Sequence, residues 1–349
     1  MNKGTQMKAI IALGIALFFS VGALAQTNNY ALANIVTSTT DPRLLNPWGL
    51  SRPPKNDNKR NEWWAIDQVT GLSTLYSANG NSLGLAVAIP GANGATHGSP
   101  AAIANMPSSA GFVFATLDGT ISAWTAANPP SKPGTGCYEC HQNSATIALN
   151  NSAIGASYRG LTIATNATTG AMTYYAANAN GRVEAYDATS FAPVSLSAYA
   201  FVDASIPTGY SPAGIQAIGS RIFVTFNAIA GGGTGYVDAF DTNGKLLLRL
   251  QNGEFDQPWG VVASPSSFGA FPNAILVGNT GSGLIGAYNR TTGAFQGFLQ
   301  SSGTLLTIPG LWGLGFGDGT PQAGPADVLY FTAGGTSLTT GAFGSITPE

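Results

Sequence analysis

Charge is the scarcest thing in this sequence. Of 349 residues only 9% are Asp, Glu, Lys or Arg, against roughly a quarter in an average soluble domain. Fourteen basic and 16 acidic residues leave a net charge of −2, and Lys and Arg nowhere gather into a run. The chain therefore carries no electrostatic footprint for nucleic acid or for an anionic bilayer. Histidine and cysteine are nearly absent, two of each. Two cysteines exclude a four-thiolate zinc site. Neither His97 nor His141 accompanies a G-x-S-x-G nucleophile elbow, which is missing, as are a P-loop and a dinucleotide-binding glycine fingerprint. What abounds is small and turn-forming: 46 glycines and 20 prolines beside an apolar share of 44%. Disorder needs high charge with low hydrophobicity, and this chain has the reverse. The mixture fits many short strands joined by tight turns.

The first segment reads as a targeting signal. Lys3 and Lys8 precede an apolar stretch from Ala9 to Leu24, and Ala23-Leu24-Ala25 stands before Gln26. A positive start, a short apolar run and an A-x-A site predict a signal peptide, residues 1–25, cut after Ala25. The run is short for a membrane span, no cysteine lies near the cut, and no later segment is apolar enough to span a bilayer. The expectation is a mature chain, 26–349, secreted or periplasmic and without an integral membrane segment.

A repeat fills that mature chain. A Gly box recurs as Pro47-Trp48-Gly49-Leu50, Tyr158-Arg159-Gly160-Leu161, Pro212-Ala213-Gly214-Ile215, Pro258-Trp259-Gly260-Val261 and Leu311-Trp312-Gly313-Leu314, with a degenerate copy, Pro100-Ala101-Ala102-Ile103. Each is followed by an aromatic or β-branched run, a Gly-bearing turn and a third run, which ends on Tyr76, Trp124, Tyr186, Phe240 or Tyr288 in five copies. Four short strands per unit of roughly fifty residues is the make-up of a propeller blade. Six copies predict an all-β, six-bladed propeller in one domain. The sixth unit runs out after its third strand, Phe343 to Thr347, and Tyr30 to Val36 is free to supply the fourth and close the ring. Closure removes two open sheet edges.

The boxes Asn46-Pro47-Trp48-Gly49-Leu50-Ser51, Asp118-Gly119-Thr120-Ile121-Ser122, Pro258-Trp259-Gly260, Gly310-Leu311-Trp312-Gly313-Leu314 and Leu329-Tyr330-Phe331-Thr332-Ala333-Gly334 resemble those of an uncharacterised family of secreted bacterial proteins. Some of its members occur in organisms with PEP-CTERM sorting systems. The resemblance runs from about Ala31 to Ile346. It implies a propeller similar to NHL-type ones and carries no activity and no catalytic residues. This chain departs from some members by ending at Pro348-Glu349 without a sorting tail, and by a Cys-bearing insertion at about 128–144.

That insertion holds the sharpest chemical motif, Cys137-Tyr138-Glu139-Cys140-His141. C-x-x-C-H is the attachment signature of haem c, with His141 as proximal iron ligand and His97, Met106 and Met172 as distal candidates. A Cys137–Cys140 disulfide stapling a loop in an oxidising compartment accounts for the same residues. A second constellation lies at the turns between second and third strands, which start with Asp67, Asp118, Asn178, Asn227 and Asn279, Ala333 breaking the series. Pointing inward, they would ring the channel with oxygens suited to Ca²⁺ or another divalent metal. Turned onto nearby backbone they would simply hold turns. Strand alternation puts these turns on the same face as the loops leading into each box. That face carries Trp48, Tyr158, Tyr210, Trp259 and Trp312, the lone boxed cation Arg159, and His97 as the one general-base candidate. Three readings follow: a non-catalytic module binding a glycan or protein; a metal-dependent lactonase or lyase using Asp67, Asp118, His97 and Asn178; and a haem c electron carrier.

Overall fold

The computed structural model describes residues 1, 27–55, 61–107, 111–125, 144–251 and 254–349. The cleavage site at Ala25 and the motif Cys137, Cys140 and His141 lie outside the described residues.

Six antiparallel sheets stand around a central axis. The innermost strands are Pro47–Ser51, Pro100–Asn105, Tyr158–Thr165, Tyr210–Ile218, Pro258–Ala263 and Leu311–Phe316. Each is followed outward, in sequence order, by the rest of its blade. The second strands are buried along nearly their whole length, Trp63–Asp67 and Ala274–Asn279 at every position, because both their faces meet a neighbouring blade. Hence they read in sequence as unbroken apolar runs rather than as alternating ones. Their two faces feed separate clusters, one per blade junction. Trp64, Ile66, Phe112 and Phe114 fill the gap between the first two blades. Trp63, Ala65, Tyr330 and Phe343 fill the one between the last and the first.

The ring closes as expected. Tyr30–Thr37 pairs antiparallel with Ala342–Pro348, from Tyr30 opposite Pro348 to Thr37 opposite Ala342, and becomes the outer strand of the sixth blade. Tyr30 is fully buried against Phe268 of the fifth blade, so this strand also closes a blade junction.

The Gly box has a steric cause. A Cβ on Gly160 would stand 2.5 Å from the carbonyl oxygen of Ala213 in the next blade; on Gly49, 3.1 Å from that of Ala101; on Gly313, 2.8 Å from that of Trp48. Gly214 and Gly260 meet the carbonyls of Trp259 and Trp312 more closely still. The inner strands converge at the axis, and the box glycine is where two backbones touch. Only the second blade carries a methyl there, on Ala102.

One blade departs from the four-strand expectation. The third has three strands, ending at Arg182–Asp187, and residues 188–209 cross its outer edge with a single bridge from Tyr186 to Pro193. Pro193 and Pro207 lack the N–H that an outer ladder needs, which keeps this stretch from pairing as a regular strand.

Candidate ligand site at the channel mouth

The inner strand of each blade bulges at its box. Pairing with the second strand skips between Pro47 and Leu50, Tyr158 and Gly160, Pro258 and Val261, and Leu311 and Leu314, and likewise in the other two blades. A bulge re-aims the side chain it contains, and here it turns the residue before the glycine toward the axis. The six residues so placed are Trp48, Ala101, Arg159, Ala213, Trp259 and Trp312.

Ring contacts show the direction for the three tryptophans, and Ala101, Arg159 and Ala213 hold the same place in the bulge of their own blades. Trp48 and Trp312, from adjacent blades, stack with ring centroids 3.8 Å apart and planes 17° apart. Trp259 stands edge-on to both, at 6.5 Å from Trp48 and 5.8 Å from Trp312. Trp48 and Trp259 belong to blades that do not touch as neighbours, so they meet only across the channel. The Trp259 indole Nε1 donates to the carbonyl oxygen of Arg159, 3.2 Å away and also two blades distant. Three tryptophans thus wall one half of the channel, and Arg159 stands between Ala101 and Ala213 on the other. All three tryptophans and Arg159 are partly exposed. Threonines on second strands fix the bulged backbone: Thr332 Oγ1 donates to the Trp48 carbonyl at 2.6 Å and accepts from Gly313 N at 2.9 Å, and Thr225 Oγ1 accepts from Gly214 N at 2.7 Å.

The ring of Asp and Asn residues does other work. Asp118 Oδ1 accepts from Ser99 N at 2.9 Å, Asn178 Oδ1 from Ser157 N at 3.0 Å, and Asn279 Oδ1 from Asp256 N at 3.0 Å. Each donor lies in the loop just before that blade's inner strand. Asn227, with its amide turned to suit its neighbours, donates to the carbonyls of Phe226 and Pro258. These side chains therefore buckle the loops that lead into the boxes. Asp67 is fully buried; its Oδ2 accepts from Thr74 Oγ1 at 2.8 Å, and its Oδ1 has no partner. Burial holds its carboxyl well above the ordinary carboxylate value. His97 is exposed on its loop, with Nδ1 3.2 Å from Thr96 Oγ1. Among the described residues no three His, Cys, Asp or Glu side chains gather in a metal-holding group.

Tyr158 and Tyr210 do not join the tryptophan wall. Tyr158 is fully buried, its hydroxyl shared among Asn151, Tyr186 and Glu184, and burial pushes its pKa up to about 12. Tyr210 packs edge-on against Tyr236 at 4.9 Å. Met172 Sδ lies 3.1 Å from Thr165 Oγ1. The sequence reading missed Ala101 and Ala213 as channel residues. Superposing the boxes on their glycine would have found them, since the preceding position is the one that varies between Trp, Arg and Ala.

Comparison with known proteins adds the fold and no activity. No family model matches the chain. Two uncharacterized proteins of Acanthamoeba polyphaga mimivirus are similar along most of their length. One is 28% identical, over 92% of this chain and 85% of its own; the other is 29% identical, over 91% and 79%. A third protein of that virus, also uncharacterized, is 30% identical over 58% of this chain and 37% of its own. Among solved structures, a glucose dehydrogenase superimposes with a TM-score of 0.57 at 10% identity, covering 90% of this chain and 98% of that one. The hydrazine synthase of Kuenenia stuttgartiensis gives 0.50 at 14% identity, covering 82% and 74%. Such low identity speaks for a shared propeller and nothing finer. These sequence relatives are viral, and the comparisons do not support the expected bacterial, NHL-type family.

Proposed function

We propose that this chain is an exported, non-catalytic binding module that holds a sugar ring against the tryptophan wall at its channel mouth. The observation that carries the reading is the contiguous aromatic surface built by Trp48, Trp259 and Trp312 from three blades, partly exposed and backed by a rigid ring. Indole faces supply flat apolar area with little conformational entropy to lose, which suits a sugar's C–H face. The acidic and amide side chains on the same mouth are committed to loop backbone or buried, which favours binding over hydrolysis. The predicted signal peptide supports a place outside the cytoplasm.

Titration of a panel of neutral and acidic oligosaccharides against intrinsic fluorescence tests the reading, with Trp259→Ala in parallel. At least one sugar should change tryptophan emission saturably, and Trp259→Ala should weaken that binding about tenfold or more, in line with the worth of a stacked ring. Unchanged affinity in Trp259→Ala, or turnover of the bound sugar, overturns it.

A further inference from the structure

We propose that the ligand of this channel mouth is an oxyanion carried on a ring, an acidic sugar whose charged group is gripped by Arg159. The inference rests on the sugar-binding reading above and adds the ligand's charge. Arg159 is the one ionisable residue among the six that the bulges turn toward the axis. It is partly buried, and among the described residues its guanidinium makes no ion pair and no side-chain hydrogen bond.

Three other partly buried arginines of this protein hold carboxylates, and a fourth, Arg221, donates to the carbonyl oxygen of Arg290 at 3.0 Å. Arg43 holds Asp41 at 2.7 Å, Arg52 holds Asp318 at 2.8 Å, and Arg249 holds Asp203 at 2.6 Å and Asp238 at 2.8 Å. In a chain with so little charge, each of these three cations has been given its carboxylate, and the channel cation has none. Burial alone acts on Arg159, lowering its pKa from the ordinary arginine value with no carboxylate to offset it. A guanidinium taken partly from water without a counter-charge is costly to hold, and an arriving oxyanion recovers that cost.

The surroundings suit the grip. Ala101 and Ala213, in the same place on the two neighbouring blades, carry only buried methyl groups there, so neither brings a competing charge or hydrogen-bonding group. The Trp259 indole N–H anchors the Arg159 backbone carbonyl and leaves the side chain unengaged. A guanidinium fork matches the paired oxygens of a carboxylate or phosphate. Trp48 Nε1, across the channel, is buried without an acceptor. A guanidinium on one side and indole rings on the other describe an acid borne on a ring.

The test uses galacturonate, galactose 6-phosphate and galactose as matched probes against wild type, Arg159→Gln and Arg159→Lys. Wild type should prefer the two acids about tenfold or more, a preference that weakens with added salt. Arg159→Gln should lose the preference while keeping its melting temperature and its affinity for galactose. Arg159→Lys should retain part of it. If galacturonate alone is favoured the oxyanion is a carboxylate, and if only the phosphate is favoured, a phosphoryl group. Equal binding of acid and neutral sugar, or a preference that survives in Arg159→Gln, overturns the inference. Should no probe sugar bind wild type, acetate is titrated while the Arg159 Nε–H resonance, assigned by its absence from Arg159→Gln, is followed. A saturable shift then sustains the anion site and strikes out the sugar. No shift overturns the anion site as well.

Discussion

Replacing Gly214 by alanine tests whether the box glycine is a packing necessity. The Cβ of an alanine there would run into the carbonyl oxygen of Trp259, and the next nearest atoms are also Trp259 backbone. No flexible side chain can swing aside, so blades four and five must part at the axis. Gly214 carries no positive φ in this structure, so the cost is contact and not backbone conformation. Overpacking in a close-packed interior costs about 1–3 kcal/mol. The upper end applies here, because the three nearest atoms that the new Cβ meets are all backbone of the next blade. In a domain this large that corresponds to a fall of roughly 4–6 °C in melting temperature. Urea and thermal unfolding of Gly214→Ala measure it. Ala102→Gly, which copies the other five boxes into the second blade, is the control and should cost the backbone entropy of a glycine, about 0.5–1 kcal/mol, together with the loss of a buried methyl, about 0.8 kcal/mol. If Gly214→Ala lies within 0.5 kcal/mol of wild type, the steric account of the repeat is wrong.

Two further perturbations follow from buried charge. The raised Asp67 carboxyl keeps a proton in the folded protein that the unfolded chain releases. Its contribution is therefore whole below the ordinary carboxylate range near about 4 and is lost as pH rises toward the raised value, by up to about 1.4 kcal/mol per pH unit. Asp67→Asn keeps an acceptor for Thr74 and removes the titration, so its stability relative to wild type should climb with pH across that window in urea melts; parallel curves would refute this. Asp41 has the opposite sign, its carboxyl being held below the ordinary value largely by hydrogen bonds from Arg43, and its contribution is lost only at more acid pH. Removing the guanidinium in Arg249→Met leaves Asp238, fully buried, without its cation. Breaking a buried pair costs about 3–5 kcal/mol, nearer the lower figure because Arg249 is itself 24% exposed. Chemical denaturation should show that loss, and Arg249→Lys should recover part of it.

The architecture was legible because the repeat states it several times over. Five Gly boxes and a degenerate sixth number the blades, and an orphan strand at each end of the repeat array announces the closure that Tyr30–Thr37 and Ala342–Pro348 make. The unbroken apolar second runs say that both faces of each blade are covered, which a ring of sheets requires. The outer edge of the third blade was not legible. Its sequence has the length for a fourth strand, and only the missing N–H groups of Pro193 and Pro207 and the single bridge at Tyr186 reveal that residues 188–209 take another course.

At the site, residue types were legible and directions were not. Asp118, Asn178, Asn227 and Asn279 fitted a cation ring or a set of buckles equally well as strings of letters. The choice fell to where the neighbouring loop puts its N–H and carbonyl groups, and Ser99, Ser157 and Asp256 put their N–H groups within 3.0 Å of three of these side chains. The tryptophans fitted blade packing as well as a channel wall, and the bulge decided for the wall by turning one residue per blade toward the axis. Sequence by itself determined which local pieces exist and how many times they repeat, because strand pattern and turn chemistry are properties of neighbours along the chain. Tertiary structure alone decided that Trp48, Trp259 and Trp312 meet, and that Arg159 stands on the opposite half of the channel without a carboxylate. Those facts depend on residues from different blades, far apart in the chain, converging at one axis, and no local pattern carries that information.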